Sequence, residues 1–184
     1  QPFIFRSSQL GRGEKAYTIE QVIRHMDKYP KDGIHHLRNG SLEQWFRDQG
    51  ALHLAKLAEN AIRQGERDLH IALERFMQAT GLVERPRLVI TPEQVDMGYV
   101  LEGEKATHPL RLRQGRGRGY LFGSVEPSAP WIQVEPSEFA GSLDAIVTVD
   151  TSAMMITEQP SRSRLMIKSS ASAEPVEVRV LIHV

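Results

Sequence analysis

The sequence predicts an α+β chain with segregated parts: a small helical domain over residues 1–85, then an all-β sandwich over residues 86–184. Three observations predict it. Before Pro86, apolar residues recur at the spacing of one helical face. After Arg85-Pro86 they alternate, the period of a strand that buries one side. No helical stretch interrupts the alternating part, which argues against a parallel sheet with crossover helices.

The elements follow in chain order. Thr18-x-x-Gln21 has the form of a capping box, and Ile19, Val22, Ile23 and Met26 then share a helical face. Pro30 stops that helix or opens the next, and Asn39-Gly40 supplies a left-handed residue to end one. Ser41-x-x-Gln44 reads as a second capping box, ahead of Leu42, Trp45 and Phe46. Leu54, Leu57, Ala58, Ala61 and Ile62 mark a further helix that Gln64-Gly65 breaks. Asp68 caps the last, which carries Leu69, Ala72, Leu73, Phe76 and Met77 and stops at Gly81. Trp45 is expected in the core, because a domain this small must bury its largest side chain.

About eight strands are expected beyond Pro86, with turn residues at the spacing of a sandwich. They include Val95 to Val100, Tyr120 to Val125 and Trp131 to Val134. Val176, Val178, Val180, Ile182 and Val184 give the clearest alternation. Trp131, Val147, Val149, Leu165, Ile167, Val178 and Val180 are predicted to face the interior. Ser169 to Pro175 reads as a hairpin loop.

The two halves also carry a resemblance. "PRLVITPEQVDMGYVLEGE", a glycine-rich turn, "WIQVEP" and "IVTVDTSAM" resemble a bacterial immunoglobulin-like module, in the group of major-sperm-protein-like and ASH-type domains. Gly40-x-Leu42-x-x-Trp45, in "HHLRNGSLEQWF", is similar to the G-x-L-x-x-W helical segment of uncharacterised bacterial signalling proteins. The chain departs from the pattern at Gln114, where asparagine is expected before the turn. The resemblance implies an immunoglobulin-like sandwich, attached in longer chains to serine/threonine kinase or chaperone-like ATPase domains. It implies no catalytic residue here, and no kinase motif is present.

Composition narrows the function classes. The 23 basic and 23 acidic residues balance to zero net charge, whereas a dedicated duplex binder draws affinity from a basic excess. The chain has no cysteine, so it has no disulfide or thiolate metal site. No apolar run spans a membrane and no signal peptide opens the sequence, so a cytoplasmic location is expected. The first residue is not methionine, and the chain reads as a piece of something longer. Asn39-Gly40-Ser41 matches a glycosylation sequon, but capping accounts for each residue.

One stretch invites a sharper reading: Gln114-Gly-Arg-Gly-Arg-Gly-Tyr-Leu-Phe-Gly123. A phosphate loop needs Lys-Ser or Lys-Thr after its last glycine, and a dinucleotide fingerprint needs a following helix. Neither is present, since Tyr120-Leu121-Phe122 reads as a strand. The glycines are expected to serve a hairpin or bulge with at least one positive φ, between solvated arginines. Arg111, Arg113, Arg116, Arg118 and Tyr120 are the candidate partner-binding residues. Their first expected ligand is an acidic protein surface. The alternative is a nucleic-acid module at residues 111–120, with Tyr120 stacking on a base.

A third class, a histidine metalloenzyme, has little to stand on. His35 and His36 are adjacent and diverge on a helix, and no H-E-x-x-H or G-x-S-x-G occurs. The sequence therefore predicts a non-catalytic protein-interaction or spacer module with no metal, cofactor or catalytic residue. Its partner is a protein, and its oligomeric state is not set by these features.

Overall fold

The computed structural model describes residues 1–6 and 13–184. The chain divides into two compact units, Gln1–Arg85 and Pro86–Val184.

The first unit opens with a hairpin that the sequence reading missed. Strand β1 (Phe3–Phe5) pairs antiparallel with β2 (Glu14–Ala16). Three residues are too short to show alternation. Even so, Phe3 and Phe5 are buried while Ile4 faces out. Five helices follow among the described residues: α1 (Ile19–Lys28), α2 (Pro30–Arg38), α3 (Ser41–Asp48), α4 (Leu52–Arg63) and α5 (Leu69–Ala79).

The Thr18 hydroxyl accepts from the Gln21 amide at 3.2 Å. The Gln21 carboxamide reaches back one residue further than a capping box requires, to the Tyr17 N–H at 2.7 Å. The second expected capping box does not form. Gly40 is the N-cap of α3, at φ 80°, and Ser41 lies inside the helix. Its hydroxyl is taken by His36 and Asn39 instead, and Gln44 bonds Asp48. Pro30 occupies the first turn of α2, where its missing N–H costs nothing. Gly33 lets α2 approach its neighbours closely, since a Cβ there would lie 3.1 Å from Met26 Cβ and 3.2 Å from Leu73 Cδ1.

The core of this unit gathers Phe5, Met26, Leu42, Phe46, Leu73 and Phe76. Trp45 is buried among them and donates from Nε1 to the Gln1 carbonyl at 3.0 Å, tying the hairpin to α3.

The second unit has nine strands: β3 (Leu88–Thr91), β4 (Gln94–Tyr99), β5 (Lys105–Gln114), β6 (Phe122–Pro127), β7 (Ile132–Glu135), β8 (Glu138–Ala140), β9 (Leu143–Asp150), β10 (Ser161–Ser169) and β11 (Ser172–His183). One sheet runs β3-β5-β9-β7 and the other β4-β11-β10-β6-β8. They share one core, with Leu110, Val147 and Val149 from the first and Val125, Leu165, Ile167, Val178 and Val180 from the second. This is a β-sandwich. Strands β3 and β4 are split between the two sheets at Pro92, and β8, which follows β7 in the chain, pairs with β6 in the opposite sheet. The half-strand β4 runs parallel to β11, and every other strand pair in the two sheets is antiparallel.

Two expectations are corrected here. Ser169 to Pro175 is not a long loop: β10 and β11 are joined by a tight turn at Ser170 and Ala171, and β11 continues through Pro175. Trp131 is only half-buried. It packs against the rim of the core and not between the sheets.

Candidate protein-docking face

The glycine–arginine stretch is neither a hairpin nor a bulge. It carries the chain from β5 in one sheet to β6 in the other. Gln114 builds the crossing: its Nε2 donates to the Gly119 carbonyl at 2.8 Å and its Oε1 accepts from the Leu121 N–H at 3.0 Å. The longer glutamine amide, in place of the expected asparagine, spans the loop on both sides. Gly117 and Gly119 hold φ of 133° and 98°. The Ser170 hydroxyl then anchors the far end, donating to the Tyr120 carbonyl at 2.8 Å and accepting from the Phe122 N–H at 3.1 Å. Gly119→Ala is expected to lower stability by about 1 kcal/mol or more, because a Cβ is unfavourable at that φ. A shift of the urea midpoint measures it, and an unchanged midpoint would refute the assignment.

The five residues singled out in the sequence do not converge on one point. Arg111 and Arg113 both reach Asp144 on β9, at 3.3 and 2.8 Å. Hydrogen bonding from Arg113 holds the Asp144 carboxyl below its ordinary range. Arg116 is exposed, while Arg118 and Tyr120 are half-buried.

A different arginine group does converge, on the outer face of the five-stranded sheet. Along β10 and β11, Leu165, Ile167, Val178 and Val180 point into the core. The alternate residues Arg162, Arg164, Glu177 and Arg179 therefore point out and are exposed. Register sets Arg164 opposite Arg179, Arg162 opposite Leu181, and Arg179 opposite Gln94. Like charges facing each other across strands are unfavourable. Glu177 offsets part of this by accepting from Arg164 at 2.9 Å. Arg162 and Arg179 have no ion-pair partner among the described residues.

One wall of this face is the segment after β6. Ser128 Oγ lies 2.9 Å from Ser163 Oγ and accepts from the Arg164 N–H at 3.1 Å. Beyond it, Trp131 presents its half-exposed ring. The result is an open groove of about 790 Å³, lined by Arg162, Arg164, Arg179, Trp131, Leu181 and Gln94 among others. Three guanidinium groups against one carboxylate make it electropositive, and Trp131 with Leu181 give it apolar contact. The alternation of arginines in "SRSRLMI" and "VEVRVL" was visible in the sequence. Their meeting on one face depends on the register between the strands.

His36 is buried, and its Nε2 accepts from the Arg6 N–H at 3.0 Å. Its proton must then sit on Nδ1 and point to the Ser41 hydroxyl at 2.8 Å. That hydroxyl passes its own hydrogen to Asn39 Oδ1 at 2.7 Å. This tautomer makes the serine–histidine pair useless for nucleophile activation, since the ring donates to the hydroxyl instead of accepting from it.

Burial, reinforced by neighbouring His35, pushes the His36 pKa down to about 4. A base with a depressed folded pKa stabilises the fold above its unfolded value and loses that contribution as pH falls. Stability is thus expected to drop by about 2–3 kcal/mol from pH about 6.5 to about 4. Urea melts at both pH values, for the parent and for His36→Asn, test this. Equal losses in the two would refute it.

Among the described residues, no cluster of three or more histidine, aspartate or glutamate side chains is placed to hold a metal ion. None of their helices is long and apolar enough to cross a membrane.

No family profile and no curated protein sequence matches the chain. Several solved structures are similar to it. A protein of unknown function from Porphyromonas gingivalis W83 is 21% identical, with a TM-score of 0.44 over 55% of this chain and 48% of that one. The seventh ASH/PapD-like domain of human CEP192 is 9% identical, with a TM-score of 0.43 over 54% of this chain and 85% of the domain. The periplasmic chaperone SfaE is 13% identical, with a TM-score of 0.37 over 53% and 56%. The match spans about half the length of the Porphyromonas protein.

Proposed function

We propose that this chain is a non-catalytic protein-interaction module. It docks an acidic segment of a partner protein on the outer face of the five-stranded sheet. The observation that carries this reading is the row of Arg162, Arg164 and Arg179 beside the half-exposed Trp131. Guanidinium groups match carboxylates in geometry, and arginine and tryptophan are the residue types that concentrate binding energy at interfaces. The face is open and rests on a rigid sheet, so little ordering is needed on this side of the complex. The reading places the module within a longer bacterial signalling chain, whose other domains would supply any catalysis.

The alternative at residues 111–120 has less support, because Arg111 and Arg113 are already committed to Asp144. A labelled peptide alternating glutamate and leucine separates the two. It is expected to bind the parent, to weaken with added salt, and to lose binding in Arg162→Glu with Arg179→Glu. Arg116→Ala should leave it unchanged, and a lysine–leucine peptide should not bind. Equal binding by the parent and the double variant would overturn the proposal. Uridine homopolymer binding that Arg116→Ala abolishes would replace it with the nucleic-acid reading.

A further inference from the structure

A second candidate site lies in the first unit and is independent of the sandwich face. His25 on α1 is stacked on the Phe5 ring, with centroids 3.8 Å apart, and its side chain is 8% exposed. Behind it, Nε2 meets Asp32 Oδ2 at 2.9 Å, and that carboxylate is equally buried. In front, Nδ1 meets Glu14 Oε2 at 2.6 Å. Both ring nitrogens thus face carboxylate oxygens.

The two carboxylates are not equivalent. Asp32 belongs to the packed face of α2, whereas the Glu14 side chain is 56% exposed. Glu14 sits at the mouth of a pocket of about 370 Å³, within the usual range for small-molecule sites. Arg24 and Lys28 line the same pocket one helical turn apart. Both are exposed, and neither has an ion-pair partner among the described residues; Lys28 lies over the Tyr29 ring at 5.3 Å. Two cations therefore flank a ring nitrogen covered by one solvent-facing glutamate.

We infer that this pocket binds a small molecule bearing an oxyanion, a carboxylate or a phosphate, on a compact apolar body. The oxyanion takes the place of Glu14 on His25 Nδ1, and Arg24 and Lys28 balance its charge. The half-buried Tyr29 ring supplies the apolar wall. Asp32 is a positioning residue: it fixes the His25 ring so that Nδ1 points into the pocket. Release of Glu14 into water costs little, because its carboxylate is already largely solvated. The chain's own glutamate shows the oxyanion geometry that the ligand would adopt.

The imidazole nitrogen resonances of His25 report the event directly. Phenyl phosphate, benzoate and inorganic phosphate are titrated separately at physiological salt. A saturating shift at His25 with phenyl phosphate or benzoate is expected. A response to the first alone assigns a phosphoester, and to the second alone a carboxylate. Glu14→Gln should tighten binding several-fold by removing the internal competitor. Arg24→Ala with Lys28→Ala should weaken it roughly tenfold, the loss expected for two charge-assisted contacts. These three side chains are exposed, so the variants should keep the parent's far-ultraviolet circular dichroism. No response at His25 with either organic anion up to about 10 mM in parent and Glu14→Gln would overturn the inference, since that limit lies beyond weak millimolar binding. So would a response unchanged by loss of Arg24 and Lys28. Tighter binding of inorganic phosphate than of both organic anions would overturn the apolar part of the ligand.

Discussion

Gly123→Ala is expected to cost more than about 4 kcal/mol, enough to unfold a domain of ordinary stability. Gly123 sits in β6 between two partners, opposite Ser169 of β10 and Phe139 of β8. A Cβ there would overlap the Lys168 carbonyl oxygen and stand 2.8 Å from Ser169 Cα and 2.9 Å from Lys168 C. All three atoms are backbone, so no side chain can turn aside. The sheet itself would have to part, and strand β10 stands between β6 and β11 in it. Gly103→Ala is the control. Gly103 has φ +82°, but a Cβ there meets nothing within 4 Å. Only backbone strain remains, on the order of 1 kcal/mol. Urea unfolding of the two variants should separate close approach from conformational preference. A Gly123→Ala chain within about 1 kcal/mol of the parent, the size of strain alone, would show that β6 and β10 do not lie this close.

That glycine illustrates what could be read from the sequence and what could not. The spacing of Val176, Val178 and Val180 announces a strand with one buried side, because alternation is a local property. Thr18 and Asp68 announce helix starts for the same reason, and both side chains do cap. The crossing at Gln114 reads as a hairpin or bulge, since nothing local says whether the next strand pairs in the same sheet or the opposite one. Trp131 was expected between the sheets. Its neighbours Ile132 and Val134 take those positions and leave the indole on the groove. The basic face depends on β10, β11 and β4 standing side by side, with residues far apart in the chain placed opposite one another. The pocket beside His25 needs β2, α1 and α2 together. Charged residues at such positions look like any solvated face until the register is known.

Register is itself testable, and Ile167→Ala tests it at the centre of the sandwich. Ile167 is fully buried and stands opposite Val125 on one side and Val176 on the other. Removing its branched side chain leaves a cavity that flanking strands on both sides prevent from closing. The expected cost is about 2–5 kcal/mol. Its chain neighbour Met166 points the opposite way, opposite Glu177 and Glu126 on the outer face. Met166→Ala is therefore expected to cost well under 2 kcal/mol, because no closed cavity forms there. A slip of β10 by one residue would exchange the two side chains and reverse the order of the costs. It would also turn Arg162 and Arg164 toward the core, where an unpaired charge cannot remain. The same pair of urea measurements thus bears on the docking face. The arginine row exists only while Ile167 points inward, so a larger loss at Met166 than at Ile167 would remove the physical basis for that face together with the assigned core.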